Sequence, residues 1–387
     1  MRTLPGLAVF SFVIMAPLAA RAADPYVIGV SAAMSGPAAG TYAGQAEGMK
    51  LYIDRLNTNG GIKGRQVRLV ILDDQGQPSR AASNMRRLLN QDNALLVVST
   101  SVSSTFAPII ADATRAGVPL LFAGSVCPQE TMPPAAPLLF CSTAFSSVHD
   151  SVAMMDFVRK HYGTKIKIGF AAMGIPISRA GVEEASRIAA GFGMTVVGTE
   201  VAPPGTVDYT AYATKFHQAG ADVVLSWAPW SVEVGVYNAL RKIGWNGHYV
   251  TAQLAETEQE LASLKDPKLI AIGTNSMLFE GLPAGDEIIK ALKSSGLAVA
   301  PERIVEGWVG GIVIETALSK LDGDATPAAL QAALAGIKID MKGLRGGPLS
   351  WTKDNHFRAV TYYKVFRWND QAKAMEVAAP WAEYAVK

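Results

Sequence analysis

The feature that most constrains the fold is a regular alternation of short β-branched runs with longer amphipathic stretches. From Tyr26 the runs YVIGVSA, RQVRLVILDD, ALLVVS and VPLLFA alternate with segments such as AGQAEGMKLYIDRLNTNGG. The apolar positions of that segment follow helical spacing, at Ala46, Met49, Ile53 and Leu56. Strands that alternate with helices of this length predict a parallel sheet with helices on both faces.

The same alternation begins again near residue 145. The runs KIKIGFAAM, MTVVGTEVA, DVVLSWA and GHYVTAQ alternate with helical patterns such as ISRAGVEEASRIAAGFG and SVEVGVYNALRKIG. A chain of 387 residues exceeds what one hydrophobic core usually holds, so two doubly wound units are expected. The helical pattern IVEGWVGGIVIETALSKLD and the β-rich AVTYYKVFRW belong to one unit or to both.

The amino-terminal residues have the pattern of an export signal. Arg2 precedes the apolar stretch LPGLAVFSFVIMAPLAA, and residues 20–22 place alanines at the two positions that signal peptidase reads. We therefore expect residues 1–22 to be a signal peptide, with cleavage before Ala23 or Asp24, and the mature chain to be exported. A membrane anchor is the alternative, which the short length and the two prolines disfavour.

The charge balance of the mature chain restricts the kinds of binding partner. Two of the 35 basic residues lie in the signal peptide, so 33 remain against 33 acidic residues. No block of basic residues stands out, which argues against nucleic acid or an anionic membrane surface as the main partner.

Cys127 and Cys141 flank a proline-rich loop, and in an oxidising compartment one disulfide there would add ~3 kcal/mol of stability. Two free buried thiols are the alternative.

Catalytic and metal-binding motifs do not form a coherent set. The chain has no G-x-S-x-G elbow, and the S-x-x-K match at residues 350–353 has the pattern of a strand and a turn. The five histidines never take a metal-ligand spacing, and the glycines of residues 60–65 do not fit a phosphate-binding loop. We therefore expect a protein that is not an enzyme and needs no metal or cofactor.

The segment MSGPAAGTYAGQAEGMKLYIDRLNTNGGIKGRQVRLVILDDQGQP resembles the type I periplasmic binding proteins of the leucine/isoleucine/valine-binding family, which feed ABC importers. V-S-S-T, A-G-V-P, D-Y-x-A-x-x-x-K-F and A-G-A-D-V-V follow in family order, so the similarity covers nearly all of the mature chain. The resemblance implies an α/β fold with two doubly wound parallel-sheet lobes, joined by three hinge crossovers that close on a ligand. The N-terminal lobe would comprise residues 24–144 and 277–351, and the C-terminal lobe 145–276 and 352–387.

In the first lobe, the resemblance implies a ligand-carboxylate site in two loops that follow strands, where parallel sheets usually bind ligands. Ser103 and Ser104 follow ALLVVSTSV and begin a helix, so their hydroxyls and N–H groups suit a carboxylate. Simple N-capping is the alternative. The second carboxylate-side loop matches Gly124, Ser125 and Val126, where the family commonly has threonine at the last position.

In the second lobe, the matching positions depart from the amino-acid binders. The family's acidic residue, which neutralises the ligand's ammonium, aligns with Gln253. An uncharged amide cannot offset a buried cation, so a ligand without an ammonium is favoured. The tyrosine of the family's Y-G motif aligns with Ile177, and Ser178 follows it as a predicted ligand contact.

Three aromatic residues complete the predicted site. Trp227 and Trp230 follow the strand DVVLSWA, at or beside the family's aromatic wall, and Tyr42 matches an aromatic that caps the ligand. Stacking on an aromatic ring adds ~0.5–1.5 kcal/mol beyond the burial of the ring itself. The alternatives are that both tryptophans pack a strand against a helix and that Tyr42 packs at the surface.

These observations predict the substrate-binding component of an ABC importer, active as a monomer in the periplasm with an inner-membrane permease as its partner. The ligand would be a small carboxylate with an apolar, aromatic body lying between Tyr42 and Trp230, and Gln253 would read a polar substituent. The alternatives are a binding protein for branched-chain or other amino acids, a ligand sensor for a membrane receptor, and an exported enzyme.

Overall fold

The computed structural model describes residues 24–143, 145–252 and 257–386, which form two α/β lobes. The predicted signal peptide lies outside the described residues. Within these three ranges, no helix has both the length and the apolar composition needed to cross a bilayer.

The first sheet begins the chain. Its strands and helices are β1 (Tyr26–Ala32), α1 (Ala39–Thr58), β2 (Val67–Asp73), α2 (Pro78–Asn90), β3 (Leu96–Thr100), α3 (Phe106–Ala116), β4 (Leu120–Phe122) and β5 (Leu139–Cys141). The five strands are parallel in the order β2-β1-β3-β4-β5. Both faces of β3 and β4 are buried, as is usual for a parallel sheet covered by helices.

The second sheet follows the first crossing between lobes. Its elements are α4 (Ser147–Tyr162), β6 (Lys167–Met173), α5 (Pro176–Gly191), β7 (Thr195–Ala202), α6 (Thr210–Gln218), β8 (Val223–Ser226), α7 (Trp230–Lys242), β9 (His248–Ala252), α8 (Thr257–Leu264) and β10 (Leu269–Gly273). Strands β6 to β10 run parallel in the order β10-β9-β8-β6-β7.

The chain then returns to the first lobe and crosses a third time. The elements of the return are α9 (Pro283–Ser295), α10 (Val305–Ser319), α11 (Pro327–Ala335), β11 (Lys338–Ile339) and β12 (Leu349–Ser350), which pack on the first-lobe core. The last strands, β13 (Val360–Asn369) and β14 (Ala374–Ala385), extend the second sheet beside β10. They run antiparallel because a short turn joins them, and only a crossover could make them parallel. The predicted fold of two lobes joined by three crossovers is confirmed, whereas the residues at which the lobes divide stay a prediction.

A buried arginine joins two of the crossings. Arg345 donates from Nε to Asn275 Oδ1 at 2.9 Å and from Nη1 to the carbonyl oxygen of Ser142, which lie on the second and first crossings. Its Nη2 pairs with Glu306 Oε2 of α10 at 2.7 Å. Breaking a buried ion pair of this kind typically costs ~3–5 kcal/mol, so Arg345 fixes the crossings firmly to the first lobe.

The packing of α1 against α10 fixes the start of α1 at the interlobe gap. A Cβ atom on Gly307 of α10 would overlap the carbonyl oxygen of Gln45 on α1, so only glycine permits this approach. The side chain of Gln45 in turn accepts a hydrogen bond from the backbone N–H of Gly307 at 3.1 Å. The first turn of α1, which carries Tyr42, is thereby held beside the loop that follows β3.

Candidate functional site

A cleft of about 110 Å³ lies between the two lobes, at the loops that follow the parallel strands. Its walls are mostly apolar side chains and backbone. The first lobe contributes Pro37, Ala38 and Ser104, and the second contributes Met173, Ile175 and Pro229. An apolar concave surface with few polar groups is typical of a small-molecule site.

The serine turn, residues 103–105, lies on the first-lobe side of this cleft. It forms a short 3-10 helix that leads into α3, and the N-cap residues of these two helices are Val102 and Thr105 rather than Ser103 or Ser104. Ser104 lines the cleft. The hydroxyl oxygen of Ser103 accepts a hydrogen bond at 3.5 Å from the backbone N–H of Ile177, which lies on α5 of the other lobe. The serine turn therefore faces the gap between the lobes.

The loop of Gly124, Ser125 and Val126 is buried, and its serine hydroxyl has a structural role. Ser125 Oγ accepts from the N–H of Ser101 at 2.9 Å, and its single hydrogen can be donated to the carbonyl oxygen of Ser99 at 2.9 Å or of Ser101 at 3.1 Å. These bonds tie the end of β3 to the end of β4. Val126 packs in the hydrophobic cluster of the second lobe, so the loop reaches across between the lobes.

The structure places Tyr42 beside the serine turn. Its ring is buried with Ala33, Ala38 and Val102, and Val102 immediately precedes Ser103. Ala38 and Val102 also line the cleft. Tyr42 therefore packs behind the first-lobe wall of the cleft, and its role as an aromatic that caps the ligand stays a prediction.

Ser178 lies inside the second lobe rather than at the cleft surface. Its hydroxyl donates to the carbonyl oxygen of Trp227 at 2.6 Å and accepts from the N–H of Met173 at 2.9 Å, and the residue is fully buried. These bonds join the end of β6 to the end of β8. We therefore leave Ser178 out of the ligand contacts proposed below.

Trp227 is held in the second-lobe core, where it binds a buried carboxyl group. The indole N–H donates to Asp150 Oδ2 at 2.9 Å, and the hydroxyl of Tyr363 donates to Asp150 Oδ1 at 2.7 Å. Burial raises the pKa of Asp150 to about 7, although both hydrogen bonds oppose the rise. Sequence reasoning missed Asp150, because its partners are brought in from two distant strands.

Trp230 is the first residue of α7 and lies at the boundary between the lobes. Its half-buried ring has the guanidinium carbon of Arg303, a first-lobe residue, at 6.0 Å from the ring centroid. On the other side is Glu260 of α8, whose pKa burial raises while the Trp230 indole and Arg303 hold it down. Gln253, the other predicted contact in this lobe, lies outside the described residues.

Cys127 and Cys141 form a disulfide in the structure, with Cα atoms 5.5 Å apart. The bond connects the loop after β4 to the end of β5, in the core beneath α3. Within the described part of the chain, no group of three or more His, Cys, Asp or Glu residues is arranged to hold a metal ion.

Comparison with known proteins identifies the family. The family model for the periplasmic binding protein matches residues 25–373. The chain belongs to the periplasmic binding protein family. The resemblance seen in the sequence is thus confirmed. Among curated relatives of this periplasmic binding protein is the Leu/Ile/Val-binding protein homolog 3 of Brucella melitensis, 24% identical, with 89% of this chain and 91% of that protein covered.

Solved structures share the fold of this periplasmic binding protein. A branched-chain amino acid transporter substrate binding protein from Streptococcus pneumoniae, in complex with isoleucine, has a TM-score of 0.76 at 20% identity, covering 92% of this chain and 100% of that one. A fatty acid ABC transporter substrate-binding protein from Thermomonospora curvata also has a TM-score of 0.76, at 15% identity and with 93% of each chain covered. The two are described with different ligand classes, so the fold alone does not select the ligand.

Proposed function

We propose that this periplasmic binding protein is the substrate-binding component of an ABC importer, and that it captures a small carboxylate with an apolar, aromatic body between its lobes. The observation that carries the proposal is the cleft itself. It sets the serine turn of the first lobe opposite an apolar wall of the second, which includes Ile175 and Pro229. In this proposal the protein binds the ligand and releases it chemically unchanged.

The first lobe suits the acidic end of such a ligand. Ser104 lines the cleft, and the serine turn leads into the positive N-terminal end of α3. Hydroxyl and N–H donors at a helix N-terminus stabilise a carboxylate. Because neither serine is an N-cap residue, their hydroxyl hydrogens can be donated to a ligand carboxylate. The backbone of the Gly124–Val126 loop would complete this end of the site.

The second lobe suits the apolar end. Met173, Ile175 and Pro229 present apolar surface to the cleft, and Trp230, the residue after Pro229, faces Arg303 of the first lobe. Covering apolar surface contributes about 25 cal/mol for each Å² removed from water, so closure over a ring or alkyl chain is favourable. Gln253 would read a polar substituent. Tyr42 would support the first-lobe wall from behind.

An amino acid is the competing ligand class, and the names of related proteins support it. In the family an acidic residue pairs with the ligand's ammonium group, and the residue aligned with it is Gln253. Because its amide is uncharged and cannot offset a buried ammonium, Gln253 argues against an amino acid as the ligand. The similar fatty acid binding protein supports a carboxylate without an ammonium, although its identity to this chain is only 15%.

A thermal-shift panel tests the proposal. The panel would contain leucine, isoleucine and phenylalanine as amino acids, and phenylacetate and 3-phenylpropanoate as aromatic acids. A ligand present at about a hundred times its Kd adds ~2.7 kcal/mol to the free energy of unfolding, so binding is visible as a higher melting temperature. We expect the aromatic acids to stabilise the protein. Stabilisation by leucine and by no aromatic acid would overturn the ligand class. A protein that yields no co-purified small molecule by mass spectrometry, and that no carboxylate stabilises, would contradict the binding function.

A further inference from the structure

A cluster of buried charged groups lies at the crossings between the lobes, and the proposed function has so far used none of it. The cluster contains Arg345, Glu306, Asp150 and Arg358, all nearly inaccessible to solvent. Arg345 and Glu306 form an ion pair at 2.7 Å, so their charges offset each other. The charges that matter for the site are those of Asp150 and Arg358.

Arg358 carries a positive charge that the described residues do not neutralise. The residue is only 7% exposed, and its Nη2 donates to the carbonyl oxygen of Thr143 at 2.9 Å. Among residues 24–143, 145–252 and 257–386, its Nε has no hydrogen-bond partner and no carboxylate lies within ion-pair distance. Burial and the neighbouring Arg345 lower its pKa to about 9, which leaves it protonated at neutral pH.

The carboxyl groups of Glu306 and Asp150 both act on this charge, but Glu306 is paired with Arg345 and both oxygens of Asp150 are already engaged. One oxygen accepts from Trp227 and the other from Tyr363. Burial raises the pKa of Asp150 to about 7, so its negative charge is disfavoured relative to that of an ordinary aspartate. A buried cation without a full counter-charge is costly, so Arg358 favours an anion from outside the protein.

The position of Arg358 connects it to both sides of the candidate site. Thr143, which accepts the hydrogen bond from Arg358, donates from Oγ1 to the carbonyl oxygen of Ser125 at 2.7 Å. Ser125 belongs to the Gly124–Val126 loop of the first lobe. The charge of Arg358 also acts on Asp150, which holds Trp227 in the second lobe. Arg358 therefore lies at the base of the space between the lobes.

We propose that Arg358 receives the carboxylate end of the ligand beside the Gly124–Val126 loop and thereby selects ligands that carry a net negative charge. The inference rests on the proposed function and makes it more specific. A zwitterionic amino acid would bring an ammonium group near this guanidinium, which repels it, and the two carboxyl groups that act on Arg358, those of Glu306 and Asp150, are already engaged. The same carbon skeleton without the amino group carries only a carboxylate, whose negative charge offsets that of Arg358.

Matched ligand pairs test this selection by isothermal titration calorimetry. The pairs are 4-methylpentanoate with leucine and 3-phenylpropanoate with phenylalanine, which differ only in the amino group. In the wild-type protein we expect at least one acid to bind about tenfold or more tightly than its amino acid. Arg358→Gln should weaken binding of that acid by about tenfold or more and remove most of the preference. Arg358→Lys, which keeps the charge, should retain a preference for the acid.

Arg367→Gln is the matched control. Arg367 lies on β13, the strand that begins two residues after Arg358, but it is partly exposed and pairs with Glu376 at 2.7 Å, so its loss should leave both affinities unchanged. A wild-type protein that prefers the amino acids, or an Arg358→Gln variant with wild-type affinity for the acids, would overturn the inference.

The stability of the ligand-free variants separates recognition from a purely structural role. Replacing a buried charge that lacks a partner is often neutral or stabilising, so Arg358→Gln should melt no lower than wild type. A lower melting temperature with an equal loss of affinity for both members of a pair would show that Arg358 only supports the hinge, and would overturn the inference. Failure of every acid and amino acid to bind would contradict the proposed function as well; binding that ignores Arg358 would contradict this inference alone.

Discussion

Trp227 and Trp230 lie three residues apart and have different surroundings. Trp227 is 3% exposed, packs in the second-lobe core and donates to Asp150. Trp230 is half-buried at the start of α7 and faces Arg303 of the other lobe. The packing alternative therefore describes Trp227, whereas Trp230 is the tryptophan that we propose as a ligand contact.

Trp230→Ala should weaken ligand binding by roughly 1–3 kcal/mol, because it removes a large apolar surface from the closing face. The free energy of unfolding should change little, since the ring is not part of the second-lobe core.

Trp227→Phe is the contrasting variant: it removes a donor to a buried carboxyl group and should cost about 1–3 kcal/mol of stability. Calorimetry and urea unfolding measure the two effects. Unchanged affinity in Trp230→Ala would mean that this ring only packs against its neighbours.

Asp150 makes a specific contribution to the pH dependence of stability. Burial raises its pKa from 3.8 to about 7, so the folded protein keeps a proton that the unfolded chain has already lost in this interval. Folding then takes up a proton, and the stability contributed by this group falls as pH rises, by at most about 1.4 kcal/mol per pH unit. Above about pH 7 the loss is complete.

Asp150→Asn should remove this titration. Measured by urea unfolding between about pH 5 and pH 8, the free energy of unfolding of the wild type should fall relative to that of the variant as pH rises. Other buried acids titrate in both proteins and cancel in the difference. A constant difference across the range would show that Asp150 does not bind the extra proton.

At the scale of elements, the sequence predicts whether a segment is a helix or a strand better than it predicts the residues at which that element begins and ends. The helix expected from Ser103 is divided into the 3-10 helix at residues 103–105 and α3, which begins at Phe106. Apolar periodicity locates the middle of a helix, where packing fixes the face, but the first turn depends on neighbours that the local sequence does not reveal.

The loop between β4 and β5 depends on the bond between Cys127 and Cys141. Closing a loop of this length restricts the unfolded chain and is worth ~3 kcal/mol. The double variant Cys127→Ser/Cys141→Ser should therefore lose about this much free energy of unfolding, and a reducing agent should lower the stability of the wild type but not of the variant. Equal stability of the two proteins under oxidising conditions would contradict a structural disulfide.

For the whole molecule, the two lobes follow from the repeated strand and helix pattern, because central strands such as β3, β4 and β8 bury both faces and the helices between them cover the sheets. The antiparallel strands β13 and β14 and the helices α9 and α11 were not predicted in detail, since their segments show no repeat of that pattern. The buried charges at the crossings were also missed. Asp150 and Tyr363 are 213 residues apart, and only the tertiary fold brings them together.

Closure of the lobes should depend on contacts that join them, such as that of Arg303 with Trp230. A cation–π contact is worth ~0.5–1 kcal/mol at an exposed site, so Arg303→Ala should increase the rate of ligand release by about two- to fivefold. Arg65→Ala is the matched control, because Arg65 lies over Tyr26 within the first lobe, at 3.9 Å from the ring centroid. Equal release rates in all three proteins, measured by stopped flow, would mean that this contact does not stabilise the closed form.

The most direct test of the central claim is a crystal structure with the carboxylate that stabilises the protein most. We predict the ligand between the lobes, its carboxylate against the serine turn and the Gly124–Val126 loop and its apolar body against the second lobe beside Trp230. A ligand bound outside the cleft, with no contact to either loop of the first lobe, would contradict the account.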